Sequence, residues 1–331
     1  MIISRTPFRI SFFGGGTDYP AWFQENGGSV LSVTINKYCY IFCRYLPPFF
    51  NNKHRIVWSR VENVSDLEEI QHPSVRECMR FMKIKEGLEI HHDGDLPARA
   101  GLGSSSSFTV GMLHSLHTLL GEKTSHRQLA EEAIHVEHHL IRESVGYQDQ
   151  VAAAYGGLNQ INFGPGDSFC VEPVQISEER LQLFQSHLLL IFTGISRTAS
   201  EIAKDKIKVI PDKKSELSTM REMVPEALKL LSSGDSFKAF GELLHESWKL
   251  KRTLSSRVST PHLDTIYERA LKAGAYGGKI LGAGGGGFML LMASPDRHTE
   301  IKKQLAEFLA VPFSFETRGS HILFGGKSTE L

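Results

Sequence analysis

Residues 97–107 read Pro97-Ala98-Arg99-Ala100-Gly101-Leu102-Gly103-Ser104-Ser105-Ser106-Ser107. Glycines let backbone N–H groups turn toward one point, and a helix starting just after them adds the positive end of its dipole. Serine hydroxyls can donate to phosphate oxygens or ligate a hard cation. A helix does follow: Thr109, Met112, Leu113, Leu116, Leu119 and Leu120 form one apolar face, and Gly121 is a plausible stop. Glycine turn, small polar residues and helix start, in that order, make a phosphate cradle. A merely flexible serine loop rarely runs straight into so well patterned a helix.

Upstream, Ile2–Phe13 reads as a strand that breaks at Gly14-Gly15-Gly16. Residues 29–45 read as paired strands, 55–61 as another, 66–86 as helical and 88–92 as a short strand. Downstream, Ser125 and Gln128 form a capping-box pattern opening a second helix, whose buried stripe is Leu129, Ala133, Val136 and Leu140. At ~100° per residue Glu137 falls roughly 80° from Leu129, so it flanks the stripe, a good place for a carboxylate aimed into a cleft. Segment 164–186 carries Gly and Pro and then charge, which places a domain boundary there and gives domains 1–183 and 184–331. The second half reads as a strand at 187–194, helices between 198 and 250, and a helix capped by Thr260-Pro261 and ended by Gly274. A strand at 288–293, a last long helix from Ser294-Pro295, and strands at 313–317 and 321–324 complete it. Mixed strands and helices in both halves give an α+β class.

The 331 residues suit two domains, and 41% hydrophobic residues supply an ordinary core. Lys+Arg and Asp+Glu are both 37, so no basic excess points to nucleic acid. An anionic ligand must then be held by local groups. Cys39, Cys43, Cys78 and Cys170 form no CxxC pair and read as reduced structural thiols. No apolar run approaches membrane length and the opening MIISRTPFRIS lacks a signal-peptide core, so a cytoplasmic location is expected. His135, His138 and His139 have helical spacing but read as core or surface histidines. Gly325-Gly326-Lys327-Ser328 imitates the end of a Walker A loop, yet His321 stands where its first glycine is required.

Two further glycine segments flank the cradle. The first, Pro7-Phe8-Arg9-Ile10-Ser11-Phe12-Phe13-Gly14-Gly15-Gly16-Thr17-Asp18-Tyr19, delivers Arg9 from a strand and Asp18 from a tight turn. The third, Lys279-Ile280-Leu281-Gly282-Ala283-Gly284-Gly285-Gly286-Gly287-Phe288, suggests close approach of backbone to a ligand or to another loop. The three segments, in this order and spacing, resemble the GHMP kinase superfamily (galactokinase, homoserine, mevalonate and phosphomevalonate kinases) over nearly the whole chain. The wording TPFRISFFGGGTDYP, LPARAGLGSSSSF, GYQDQVAAAYGG and TGISRTASEI is most similar to the D-glycero-D-manno-heptose 7-phosphate kinases of that superfamily.

The resemblance implies an N-terminal domain like ribosomal protein S5 domain 2, a ferredoxin-like C-terminal domain, and ATP and substrate in the cleft between them. It implies Asp149 as catalytic base, with Arg9 beside it, and Glu137, twelve residues earlier, as a Mg²⁺ ligand together with Ser105. Pro97, Arg99, Gly101, Leu102, Gly103, Ser104, Ser105, Ser106 and Ser107 are the expected ATP contacts. Gly15, Gly16, Thr17, Asp18, Lys37, Arg197, Gly284 and Gly285 are the expected substrate contacts, with Arg197, Lys37 or Arg99 holding a phosphate that the substrate already carries. Trp58–Glu62 is a candidate lining for the base. The first motif reads Gly-Gly-Gly-Thr-Asp where galactokinases have Gly-Glu-His-Thr-Asp, which argues against galactose. The expected reaction is transfer of the ATP γ-phosphoryl to the anomeric hydroxyl of D-glycero-D-manno-heptose 7-phosphate, giving the 1,7-bisphosphate. A kinase for a free sugar such as fucose or another hexose, or an inactive sugar- and ATP-binding regulator, are the alternatives. The expected partner is a small-molecule sugar phosphate, with no nucleic acid and no membrane, and a homodimer is left open.

Overall fold

The computed structural model describes residues 1–194, 205 and 207–325. The chain runs β1 (Ile2–Phe13), α1 (Pro20–Asn26), β2 (Gly28–Tyr45), β3 (His54–Val57), β4 (Val61–Val64), α2 (Pro73–Phe81), β5 (Leu88–Gly94) and α3 (Ser104–Leu119). Next come α4 (His126–His135), a π turn (Val136–Ile141), α5 (Gln148–Tyr155), β6 (Leu158–Gly164), β7 (Ser168–Pro173), α6 (Glu178–Ser186) and β8 (Leu188–Phe192). The remainder is α7 (Lys214–Ser232), α8 (Lys238–Thr253), α9 (Pro261–Lys272), β9 (Gly277–Ile280), β10 (Phe288–Met292), α10 (His298–Gln304), β11 (Leu309–Ala310), β12 (Phe315–Glu316) and β13 (His321–Gly325).

Two sheets organise these elements. The first has nine strands with β13-β1-β2-β5-β3-β4 as its spine, and β6 and β12 also on β2. The second has the order β11-β8-β10-β9, every neighbouring pair antiparallel. Numbered along the chain that order is 4-1-3-2, the arrangement of a ferredoxin-like layer, so the mixed α+β, two-domain architecture expected above is present.

Four expectations need correction. Residues 29–45 are not paired strands but one 18-residue strand. Asn36-Lys37, the only candidate turn, bulges instead: β1 partners jump from Tyr38 to Ile35 between Pro7 and Phe8. Segment 66–86 is not one helix, because Pro73 starts α2 afresh after a 3₁₀ turn at Leu67–Glu69. The last helix is short, seven residues, because the chain is back in β11 at Leu309. A single cut near residue 184 also misses the path of the chain, since β12 and β13 return to pair with β2 and β1 of the first sheet.

The lobes share one apolar core. Phe12 and Phe13 at the end of β1 meet Phe240 of α8 at ring-centroid distances of 5.8 and 5.1 Å, and Phe12 meets Phe184 of α6 at 5.3 Å. Each buried aromatic ring contributes about 150–250 Å² of hidden surface. That cluster fixes the end of β1, and with it the strand that carries Arg9, against the second lobe. Cys39, Cys43 and Cys78 are buried free thiols, and burial pushes the Cys43 thiol up to about 12. No described helix is long and apolar enough to cross a membrane.

Candidate active site

A cavity of about 230 Å³, partly open to solvent, lies where β1, α3, α5 and the 281–287 loop converge.

The cradle forms one wall. Gly103 precedes α3 in the left-handed region at φ 76° and turns the chain into the helix. The first N–H groups of a helix lack intrahelical acceptors, so those of Ser104, Ser105 and Ser106 are left for a ligand, while Ser107 N donates to Gly103 O at 2.9 Å. Arg99, Gly101, Gly103, Ser104, Ser105 and Ser106 line the cavity. Three expected contacts face elsewhere: Leu102 is buried in the core, the Ser107 hydroxyl donates to Pro7 O at 2.9 Å, and Pro97 is exposed beyond the lining.

The third glycine segment braces this wall from behind. A Cβ on Gly101 would stand 2.5 Å from Leu281 O, and one on Gly282 would stand 2.5 Å from the Gly101 Cα. Only glycine permits that backbone approach. From this loop Gly282 and Ala283 line the cavity. Gly284 and Gly285, expected against substrate, instead pack on Val258, where Gly285 N donates to Val258 O at 2.8 Å.

Arg9 and Asp149 meet at the centre. Arg9 Nε donates to Asp149 Oδ1 at 2.7 Å and Nη2 to Oδ2 at 2.8 Å, a two-pronged pair of the strongest hydrogen-bonding type. A third bond runs from Arg9 Nη1 to Gly101 O at 2.8 Å, and Arg9 N donates to Leu102 O at 3.0 Å. Asp149, in the first turn of α5, is 23% exposed and faces the cavity, whereas Arg9 is only 4% exposed. The arginine therefore ties the aspartate directly to the glycine turn.

Glu137 lies one layer deeper, fully buried on the π turn that continues α4. Its Oε2 accepts from Ser106 Oγ at 2.9 Å and from Gln150 Nε2, while its Oε1 has no partner among the described residues. Burial, followed by the charge of nearby Glu143, pushes its carboxyl up to about 8. The serine beside Glu137 is thus Ser106. Ser105, expected there, is exposed at the cavity rim, because one residue along a helix turns a side chain by about 100°.

The first motif supplies the floor. Gly15, Gly16 and Asp18 line the cavity. Asp18 is buried, accepting from Gly16 N and Gln148 Nε2, each at 2.9 Å, and burial raises its carboxyl above the usual range. Thr17 is a structural residue rather than a substrate contact: its hydroxyl donates to Gly14 O and accepts from Ser29 N, locking the turn onto β2. Lys37 sits in the β2 bulge, outside the cavity lining, and Trp58 pairs with Glu62 at 2.8 Å, also outside it. Arg197 lies outside the described residues. Among the described residues no His/Cys/Asp/Glu cluster could hold a metal, and His138 packs on Tyr147.

The lining residues that escaped the sequence reading include Ser11, Gln148, Lys251 and Lys279. Ser11 lies two residues past Arg9 on the same face of β1, a period-two signal that could have found it. Lys279 abuts the third glycine segment. Lys251 on α8 carries no local signal at all.

Family models agree with this geometry. The GHMP kinase N-terminal domain matches residues 73–157 and the GHMP kinase C-terminal domain residues 223–311, together just over half the chain. D-glycero-alpha-D-manno-heptose 7-phosphate kinase of Campylobacter jejuni is 29% identical, covering 96% of this chain and 97% of that protein. Galactokinase of Pyrococcus furiosus is 24% identical over 96% of both chains. The crystal structure of a D-glycero-D-manno-heptose 1-phosphate kinase from Bacteroides thetaiotaomicron superimposes with a TM-score of 0.81 at 24% identity, covering 98% of this chain and 99% of that one. With a serine-bearing cradle, an Arg–Asp pair at its mouth and both family models in register, this chain belongs to the GHMP kinases, enzymes that phosphorylate small molecules with ATP.

Proposed function

We propose that this kinase transfers the ATP γ-phosphoryl to the anomeric hydroxyl of D-glycero-D-manno-heptose 7-phosphate. The observation that carries the chemistry is the contact between cradle and base: Asp149 Oδ2 lies 3.3 Å from the position of a Cβ on Gly103, with Arg9 bonded to both sides. An acceptor hydroxyl against Asp149 is then next to a phosphate held by the first turn of α3. Asp149 accepts the hydroxyl proton as the acceptor oxygen bonds to the γ-phosphorus and the bond to the β-phosphate oxygen breaks, releasing ADP. Arg9 faces the group in transfer, and a positioned arginine contributes roughly 10³–10⁵ in rate in such reactions.

Glu137 and Ser106 fit a hard divalent cation: both offer oxygen, and one carboxylate oxygen has no partner among the described residues. Bound there beside the nucleotide, Mg²⁺ would offset charge on the β- and γ-phosphate oxygens.

The choice of acceptor rests on the full-length likeness to the Campylobacter jejuni heptose 7-phosphate kinase and on the first motif. Where galactokinases carry glutamate, this chain has Gly15, and a Cβ there would approach Ser11 Oγ to 3.6 Å. The space left by that absent side chain suits a longer acceptor. Coupled ADP release measured over heptose 7-phosphate, free heptose, fucose and galactose tests the assignment. Heptose 7-phosphate is expected to give the highest kcat/KM, and a free hexose turned over at least as well would overturn it.

A further inference from the structure

Resting on the reading that the acceptor already carries a phosphate, we propose that Lys279 and Ser11 form the pocket that holds it. The two side chains come from opposite lobes and meet at the end of β1. Lys279, on β9 and only 2% exposed, donates from Nζ to Phe12 O at 2.7 Å. Ser11, 5% exposed, is the neighbour of Phe12, and its hydroxyl has no partner among the described residues. Both line the cavity. Lys251 flanks them, donating from Nζ to Ile280 O and Gly282 O, each at 2.7 Å.

Position along β1 decides which phosphate this pocket takes. Arg9 and Ser11 share a face, about 6.6 Å apart at ~3.3 Å rise per residue. The Arg9 end is bonded to the cradle through Leu102 O and Gly101 O, so the triphosphate belongs there. The Ser11 end lies one same-face step further along β1 from the cradle than Arg9, which holds Asp149. An acceptor whose reacting hydroxyl faces Asp149 brings its opposite arm to Ser11 and Lys279. An ammonium and a hydroxyl are both donors, matching the acceptor-only oxygens of a phosphomonoester. The buried ammonium of Lys279 supplies charge from the second lobe, so a phosphorylated acceptor bridges the lobes while an unphosphorylated one does not.

The test measures kcat/KM for heptose 7-phosphate relative to free heptose, and KM for ATP, in wild type, Lys279→Met, Lys279→Arg and Ser11→Ala. Charge-assisted hydrogen bonds support a fall in this preference of about 10–100-fold for Lys279→Met and several-fold for Ser11→Ala. Lys279→Arg is expected to recover part of it. Because Lys279 also braces Phe12 O, its variants can lose stability. Ser11→Ala removes a hydroxyl with no partner among the described residues, so an unchanged melting temperature keeps its result interpretable. Preference intact in Lys279→Met and Ser11→Ala overturns the pocket while leaving the proposed acceptor standing. Preference intact with a raised KM for ATP likewise overturns it, assigning these groups to the nucleotide. A wild-type enzyme that turns over no sugar phosphate overturns the acceptor reading itself, and the pocket with it.

Discussion

The Arg9 guanidinium grips the Asp149 carboxylate edge-on across 140 residues of chain, and its remaining arm holds the carbonyl of Gly101. Asp149, the proposed base, and the glycine turn are thereby tied together: neither can shift without stretching a charge-assisted bond. A site held this way needs no large rearrangement to align an acceptor hydroxyl with a bound triphosphate.

Asp149→Asn keeps the shape of the side chain and removes its basicity. Turnover is expected to fall by about 10²–10⁴, the usual cost of losing a general base. ATP affinity should move little, while the melting temperature should fall, because the buried Arg9 guanidinium loses its charged partner. Single-turnover kinetics with calorimetric ATP titration checks this, and a variant retaining more than about a tenth of wild-type rate would contradict the assignment.

Glu137→Gln replaces a buried carboxylate with a neutral isostere. A buried ionised group costs folding free energy unless it is well paired. With chelator present the variant should melt at a higher temperature than wild type above pH 8, where the native carboxyl, pushed up to about 8, is ionised. Its Mg²⁺-dependent turnover should nevertheless fall by orders of magnitude. Ser106→Ala should impair Mg²⁺ dependence more than Ser105→Ala, since only the Ser106 hydroxyl touches Glu137. Equal effects of the two serines would sink that ranking.

Gly101→Ala places a methyl group 2.5 Å from Leu281 O at a backbone φ of 85°. Left-handed strain alone costs about 1–3 kcal/mol, and the clash adds to it. The 281–287 loop must move away from the cradle. Weakened ATP binding together with a lowered melting temperature is the expected signature, and fluorescence titration beside thermal denaturation reads both.

His117 tests the fold independently of the site. Its burial lowers its pKa, but hydrogen bonds of 2.6 Å to Glu132 and to Glu122 more than reverse this, leaving it raised above 6.5. A raised folded value means that the native state holds the proton longer than the unfolded chain does. The stabilisation is fully present below the unfolded value and is lost as pH climbs through the folded one. Wild type should therefore lose stability relative to His117→Gln, which lacks the titrating ring, as pH rises above about 6.5. Urea midpoints measured across that range provide the check, and parallel curves for the two proteins would refute it.

What was legible in the sequence follows the range of the interactions. The cradle could be read from residues 97–107 because turn, serines and helix are all local, and the Ser125 cap of α4 was visible for the same reason. Glu137 was placed beside its stripe by periodicity alone, yet the choice between Ser105 and Ser106 needed the azimuth of α3, which a one-residue offset changes by about 100°. The four glycines at 284–287 look alike in the sequence; which of the loop's residues face the cavity depends on Val258 and Ala100, partners far away in the chain. Lys251 could not be foreseen, because its place at the cavity comes from the packing of α8 against β9, a contact that no local pattern encodes.

The pairing of β13 with β1 joins strands that lie far apart along the chain, Ile2 opposite Gly325. A ribosome releases β1 long before β13, so during synthesis the strand bearing Arg9 waits with one flank unzipped. Bare strand flanks recruit other chains. Co-translational chaperone capture should therefore extend until β13 emerges, and a permutant that joins β13 to β1 in one hairpin should shorten that wait.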